Sequence, residues 1–118
     1  MHHGVLTCAP SDSLQEVAAI MANHRVHAVV ITTSNAEPPV GLVSDLDVLA
    51  AVATGTDCTA GQAAATETLT VSGDEPLQSA ANLMNEHGVS HIVVLDAAGG
   101  TPVGVLSSLD VAAVYAES

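Results

Sequence analysis

The chain has 118 residues, enough for one domain with a modest core, and 48% of them are hydrophobic. Its core must be aliphatic, because Tyr115 is the one aromatic residue, and Arg25 is the one basic residue against 13 acidic ones, for a formal net charge of −12. Nucleic acid is excluded as a partner, since phosphate backbones are gripped by Lys and Arg and single strands stack on aromatics. An anionic membrane surface is excluded for the same reason. Cys8 and Cys58 form neither a disulfide framework nor a CxxC motif. Cys8 sits in an apolar run and reads as a small buried thiol. No apolar run approaches the roughly 20 residues of a transmembrane helix. Met1-His2-His3-Gly4 lacks the cationic start of a signal peptide, so the expected location is cytoplasmic. His2 and His3 are not read as metal ligands.

In chain order, Val5–Cys8 is a β-prone run ended by Ala9-Pro10. Ser13-Leu14-Gln15-Glu16 has the form of a capping box, with a Ser hydroxyl and a Glu three residues on. Leu14, Val17, Ala18 and Met21 then recur on one helical face, up to Asn23-His24. Val26–Thr32 is β-branched and short, a strand. Residues 34–39 are turn chemistry. Val40–Val43 is a further strand, and Ser44 to about Thr54 a helix closed by Gly55. Thr56–Thr59 is a linker and Ala60–Ala65 a short helix entering the second unit. A strand near Leu69–Val71 precedes a helix from Pro76 to His87, with Pro in its first turn. A strand at His91–Leu95, a turn at Ala97–Gly100, a strand at Val103–Leu106 and a helix from Ser108 through Tyr115 complete the chain.

The second half repeats the first. Pro39-Val40-Gly41-Leu42-Val43-Ser44-Asp45-Leu46-Asp47-Val48 matches Pro102-Val103-Gly104-Val105-Leu106-Ser107-Ser108-Leu109-Asp110-Val111, and from Gly41 to Gly104 the offset is 63 residues. The same offset pairs Leu6-Thr7 with Leu69-Thr70, Leu14-Gln15 with Leu77-Gln78, and Met21, His24 and Val26 with Met84, His87 and Val89. Each copy, 1–55 and 56–118, is one β-α-β-β-α unit too small to bury its own core. The first copy has no counterpart of Thr59–Ala63, so the sequence reads as a minimal version or as a piece of a longer chain.

The repeated motif lies where a strand meets a helix. Gly41 and Gly104 permit close approach of a ligand or of a neighbouring strand. Ser44 and Ser107 begin the following helix, where a hydroxyl and backbone N–H groups suit an anion. Asp47 and Asp110 come one turn later and can accept hydrogen bonds from the two hydroxyls of a ribose. The same residues also suit a purely structural role, with the serines as N-caps and the aspartates as helix-dipole partners. His24 and His87 end their helices, where an imidazolium complements the dipole. No nucleophile elbow of the G-x-S-x-G type is present, and no catalytic or metal site is expected.

The element order and the doubled G-h-h-S-x-L-D motif resemble the CBS (cystathionine β-synthase) domain, two copies of which form a CBS pair, or Bateman module. The resemblance spans Met1 to about Tyr115. It implies an α+β fold in which two pseudo-symmetric β-α-β-β-α repeats pack sheet to sheet into one disc-like module. It also implies a non-catalytic sensor that binds an adenosine-containing ligand, of the AMP, ATP or S-adenosylmethionine type, in clefts between the repeats. Mg²⁺ would accompany ATP, and no cofactor is required. Carried onto this sequence, Asp47 and Asp110 hold ribose and Ser44 and Ser107 hold phosphate. The adenine rests near Thr7, Thr70, Ala28 and His91. The His-Arg pair that grips phosphates in some members corresponds to His27-Ala28 and Ser90-His91, so each half keeps one imidazole and neither keeps the Arg. Members commonly form dimers through the helices that follow the motif, here through Val48, Leu49, Val52, Val111, Val114 and Tyr115. The implied partners are a second copy and an unidentified effector protein. The alternative is a ligand-free structural dimerisation module.

Overall fold

The computed structural model describes residues 5–33, 39–64, 68–98 and 100–117. His2 and His3, the expected turn at 34–38, Ala65 and Gly99 lie outside the described residues. The chain divides into two compact units, Leu6–Thr68 and a second built from Leu69 onward.

In the first unit, β1 (Thr7–Cys8) leads into α1 (Leu14–His24), β2 (Ala28–Ile31), β3 (Gly41–Ser44) and α2 (Asp45–Thr54). The sheet order is β1-β2-β3, with β1 parallel and β3 antiparallel to the central β2. The parallel pair requires a crossover, and α1 supplies it. Its start is fixed by Ser13, whose hydroxyl accepts from the Glu16 amide at 3.1 Å. Its end is a left-handed turn at Arg25, φ 54°. Leu14, Val17 and Met21 point from one face of α1 into a core shared with Cys8, Val29, Ile31, Val43 and Ala60. Ala28 and Val30 alternate to the other face of β2 and are buried as well. Burial, and then the charge of Asp12, push the Cys8 thiol up to about 11, so it stays protonated and unreactive at neutral pH.

Gly41 decides between its two expected uses. A Cβ there would stand 3.0 Å from Ile31 Cδ1 and 3.7 Å from Ala64 Cβ, so close packing of the chain claims the space. The segment after α2, expected to lead into the second unit, packs on this same unit instead, because its backbone and Ala60 complete the first core. Leu14 N–H donates to the Cys58 carbonyl at 3.0 Å and Ala60 N–H to the Asp12 carbonyl at 2.8 Å. The short helix α3 (Ala60–Ala63) carries a Thr59/Gln62 capping box, and Ala60 is fully buried in the first unit's core.

The second unit repeats the order: β4 (Thr70–Ser72), α4 (Leu77–His87), β5 (His91–Leu95), β6 (Pro102–Ser107) and α5 (Ser108–Glu117). The sheet order β4-β5-β6 has the same parallel and antiparallel pairings. Pro76 is the N-cap of α4 rather than its first helical residue, and no side chain caps that end. Gly88 closes α4 at φ 64°. Ala80, Met84, Ile92, Val94 and Leu106 form the core. No helix among the described residues is long and apolar enough to cross a membrane. The expectation of two β-α-β-β-α repeats in an α+β fold therefore holds element by element.

Candidate functional site

The antiparallel pairing of the second and third strands of each unit assembles the motif. Register sets Ala28 opposite Ser44 in the first unit and His91 opposite Ser107 in the second. The chain then turns directly into a helix, and a backbone bond locks the junction. Asp45 N–H donates to the His27 carbonyl at 2.9 Å, and Ser108 N–H donates to the Ser90 carbonyl at 2.9 Å.

At each junction the motif Ser and Asp form a capping box. In the first, Asp47 Oδ2 accepts from the Ser44 amide at 2.8 Å and from its hydroxyl at 3.2 Å, while Asp47 N–H donates to Ser44 Oγ at 3.4 Å. In the second, the corresponding distances for Asp110 and Ser107 are 2.8, 3.0 and 3.1 Å. Burial by itself would push the Asp110 carboxyl up. The Ser107 amide bond, together with further hydrogen bonds and a nearby positive charge, outweighs it, and the group lies below its ordinary value of 3.8. Two first-turn amides of each helix are thus satisfied by the protein itself. The capping arrangement engages one carboxylate oxygen, Oδ2, and both recorded bonds to Asp47 fall there, which leaves its Oδ1 to a further donor.

Of the residues singled out from sequence, the structure brings His27, Ala28, Ser44 and Asp47 together at one junction, and His91, Ser107 and Asp110 at the other. Thr7 and Thr70 stand apart from these clusters. They pair with Val30 and Val93 on the far side of the central strand, two strand spacings or about 10 Å from the third strand.

Sequence spacing gave no sign of one contact. His27 Nδ1 lies 2.9 Å from Asp45 Oδ2, across 18 residues, with both side chains exposed. Only the β2–β3 register places these two side by side. The repeat-equivalent residues are Ser90 and Ser108, and there Ser90 Oγ lies 3.0 Å from His91 Nδ1 instead. Among the described residues no group of three His, Cys, Asp or Glu side chains is placed to hold a metal ion.

Two comparisons bear on this arrangement. Among solved structures, the chain is similar to a CBS domain protein from Pyrobaculum aerophilum complexed with AMP, at 32% identity and a TM-score of 0.86, covering 99% of this chain and 92% of that one. It is similar in fold to the CBS domain pair of protein MJ0100 in complex with 5′-methylthioadenosine and S-adenosyl-L-methionine, at 22% identity, a TM-score of 0.88 and the same coverage. A third similar structure is Hypoxic Response Protein I with two coordinated zinc ions, at 26% identity, a TM-score of 0.76 and coverage of 97% and 94%. No curated protein matches the chain. The CBS domain family model matches twice, over residues 1–54 and 60–117, each match carrying one of the two Ser-x-x-Asp junctions. The chain belongs to the CBS domain family and carries two copies of that domain.

Proposed function

We propose that this protein is a non-catalytic regulatory module that binds an adenosine-containing ligand of the AMP, ATP or S-adenosylmethionine type, with the two copies falling at 1–55 and 56–118. The observation that carries this reading is the pair of Ser-x-x-Asp junctions, built alike in both units within a family whose similar structures hold AMP or S-adenosyl-L-methionine. The proposed ligand-binding residues are Thr7, His27, Ala28, Ser44 and Asp47 in the first copy and Thr70, His91, Ser107 and Asp110 in the second. In the first copy the cap uses one Asp47 carboxylate oxygen and a ribose would use the other, so capping and binding are compatible there. A ligand with different affinities for two arrangements of the module shifts their populations, and an effector protein reads the shift.

Calorimetric titration with AMP, ATP plus Mg²⁺, and S-adenosylmethionine tests the reading. Binding of at least one ligand is expected, weakened tenfold or more by Asp47→Ala or Asp110→Ala. Absence of binding by all three refutes it.

A second reading, a homodimer through the helices that follow the motif, is favoured by their surfaces. Leu46, Leu49 and Val52 of α2 and Leu109, Val114 and Tyr115 of α5 are all exposed. Val48 and Val111, expected on the same face, instead pack toward the two cores. Sedimentation of wild type and Leu49→Glu separates this reading from a monomer: the wild type sediments as a dimer and the variant as a monomer.

A further inference from the structure

A groove recurs at the same place in both units, between the end of the first helix and the start of the second. In the second unit it is lined by Met84, Gly88, Val89, Ser108 and Val111, with no charged side chain among the described residues. In the first, Met21, Arg25, Val26, Asp45 and Val48 take those positions and His27 joins them. Arg25 is the one Lys or Arg of the chain. The Asp45 carboxylate in the same groove is engaged by His27 at 2.9 Å. The first unit's groove also continues along the helices. It shares Ala18 and Val48 with a second groove that reaches Leu14, Ala51, Val52 and Asp57, so one furrow follows the α1–α2 seam from Asp57 to Arg25. From Leu14 to Arg25 the helix axis advances about 16 Å. The floor is aliphatic, with a carboxylate at one end and a guanidinium and an imidazole at the other.

Helix α5 is the element with the most uncovered apolar surface. Ala112 through Glu117 are all exposed, Leu109 is 72% exposed and Tyr115 81%. Val111 is its anchor to the core. A helix that is apolar around most of its circumference calls for cover on more than one face. Its ten residues extend about 15 Å, the length of the furrow. Its charged residues are Asp110 in the first turn and Glu117 in the last, both acidic.

Charge selects the seat. Each copy carries 13 acidic residues and one permanent cation, so the acidic end of an approaching helix is repelled by most of the surface and attracted at Arg25. With Glu117 at Arg25, the incoming α5 runs alongside α1 in the same direction. The negative end of its dipole then faces the guanidinium and His27, and its positive end faces Asp57. In the second unit's groove Gly88 stands in place of Arg25, and this selection is missing.

We infer that α5 of a second copy seats in the α1–α2 furrow of the first unit, with Glu117 of one copy paired to Arg25 of the other. This rests on the homodimer reading above and gives that dimer its surface and its orientation. Each copy carries one furrow and one α5, so a pair of copies offers the contact twice.

The test is sedimentation equilibrium of the full chain as wild type, Arg25→Gly, Glu117→Arg, the exchange Arg25→Glu with Glu117→Arg, Glu86→Arg and Leu49→Glu. Gly closes the equivalent helix at Gly88, so Arg25→Gly keeps the turn, and circular dichroism checks the fold of every variant. The wild type is expected to dimerise, with a dissociation constant at least tenfold higher in Arg25→Gly and in Glu117→Arg. The exchange should return it to within threefold of wild type. Glu86→Arg reverses an exposed acid on α4 and relieves the overall repulsion as much as Glu117→Arg does. It should associate at least as tightly as wild type. A dimer that is lost in Leu49→Glu but unmoved by Arg25→Gly and Glu117→Arg overturns the α5 seat and leaves the homodimer standing. Equal tightening in Glu117→Arg and Glu86→Arg overturns it by reducing the effect to net charge. A folded exchange variant that does not recover overturns the pairing. A wild type that stays monomeric overturns the seat together with the homodimer.

Discussion

The two units keep the same strand order and the same capping box but fill and close them with different side chains. Positions 17 and 29 of the first core are Val and Val, while their counterparts 80 and 92 are Ala and Ile. The first helix of the first unit is capped by Ser13 and closed by Arg25, and that of the second begins at an uncapped Pro76 and closes with Gly88. The sheet register and the Ser-x-x-Asp junction are thus kept in both copies, while part of the core and the ends of the first helix differ. Substitutions at equivalent positions measure how independent the two solutions are.

The largest effect is expected in the cores. Ile92 is fully buried, and Ile92→Ala should cost about 2–5 kcal/mol from lost burial and the cavity left behind. Ile92→Val should cost about 0.5–1.5 kcal/mol. If bulk has been traded between helix and strand, adding Ala80→Val to Ile92→Val restores the first unit's pattern and recovers part of that loss. Urea unfolding of the single and double variants gives the coupling; strict additivity would show that the two positions are filled independently.

The caps come next. Ser44→Ala and Ser107→Ala each remove the acceptor for an N3 amide and should cost about 1 kcal/mol. Because the two boxes match closely in geometry, the two losses should agree within about 0.5 kcal/mol. A large excess at one would mean that its Ser does more than cap.

Arg25 gives a smaller effect of opposite sign. It holds φ 54° where its counterpart Gly88 holds 64°, and an L side chain pays for that region where Gly does not. Arg25→Gly should stabilise the first unit by about 0.5 kcal/mol, since the relief of strain exceeds the added freedom of the unfolded chain. A drop in melting temperature would show instead that the guanidinium contributes more as a cation at the C-terminus of α1 than its backbone costs.

Much of this was legible in the sequence because repetition doubles every local signal. The Ser13 cap, the Leu14-Val17-Met21 face and the Gly55 stop each rest on contacts within a few residues. The capping role of Ser44 and Asp47 is a three-residue relationship and was open to reading as well. The His27–Asp45 pair was not, because it exists only once β2 and β3 pair in one register. The attachment of Cys58 and Ala60 to the first core was hidden for a similar reason: it depends on where the chain travels after α2 and not on any periodicity. Of the expected dimer face, Val48 and Val111 turned inward because a helix of ten residues must still seat part of its surface on the sheet beneath it.

The smallest effect concerns the charge in the second cap. Burial opposes the ionised Asp110 carboxyl, but the Ser107 amide bond, further hydrogen bonds and a nearby positive charge outweigh it, and the folded state holds the group below its ordinary value. A carboxyl that is more acidic folded than unfolded stabilises the fold while it is ionised in both states. That contribution is fully present above the ordinary carboxylate range. It fades as pH falls through that range and is gone once pH drops below the lowered folded value. Asp110→Asn keeps an oxygen acceptor for Ser107 but carries no charge. The wild type should therefore exceed the variant in urea midpoint at about pH 6, and the gap should close steadily from about pH 5 toward pH 2. A gap independent of pH would assign the role of Asp110 to hydrogen bonding alone, and a gap that widens on acidification would contradict the lowered acidity itself.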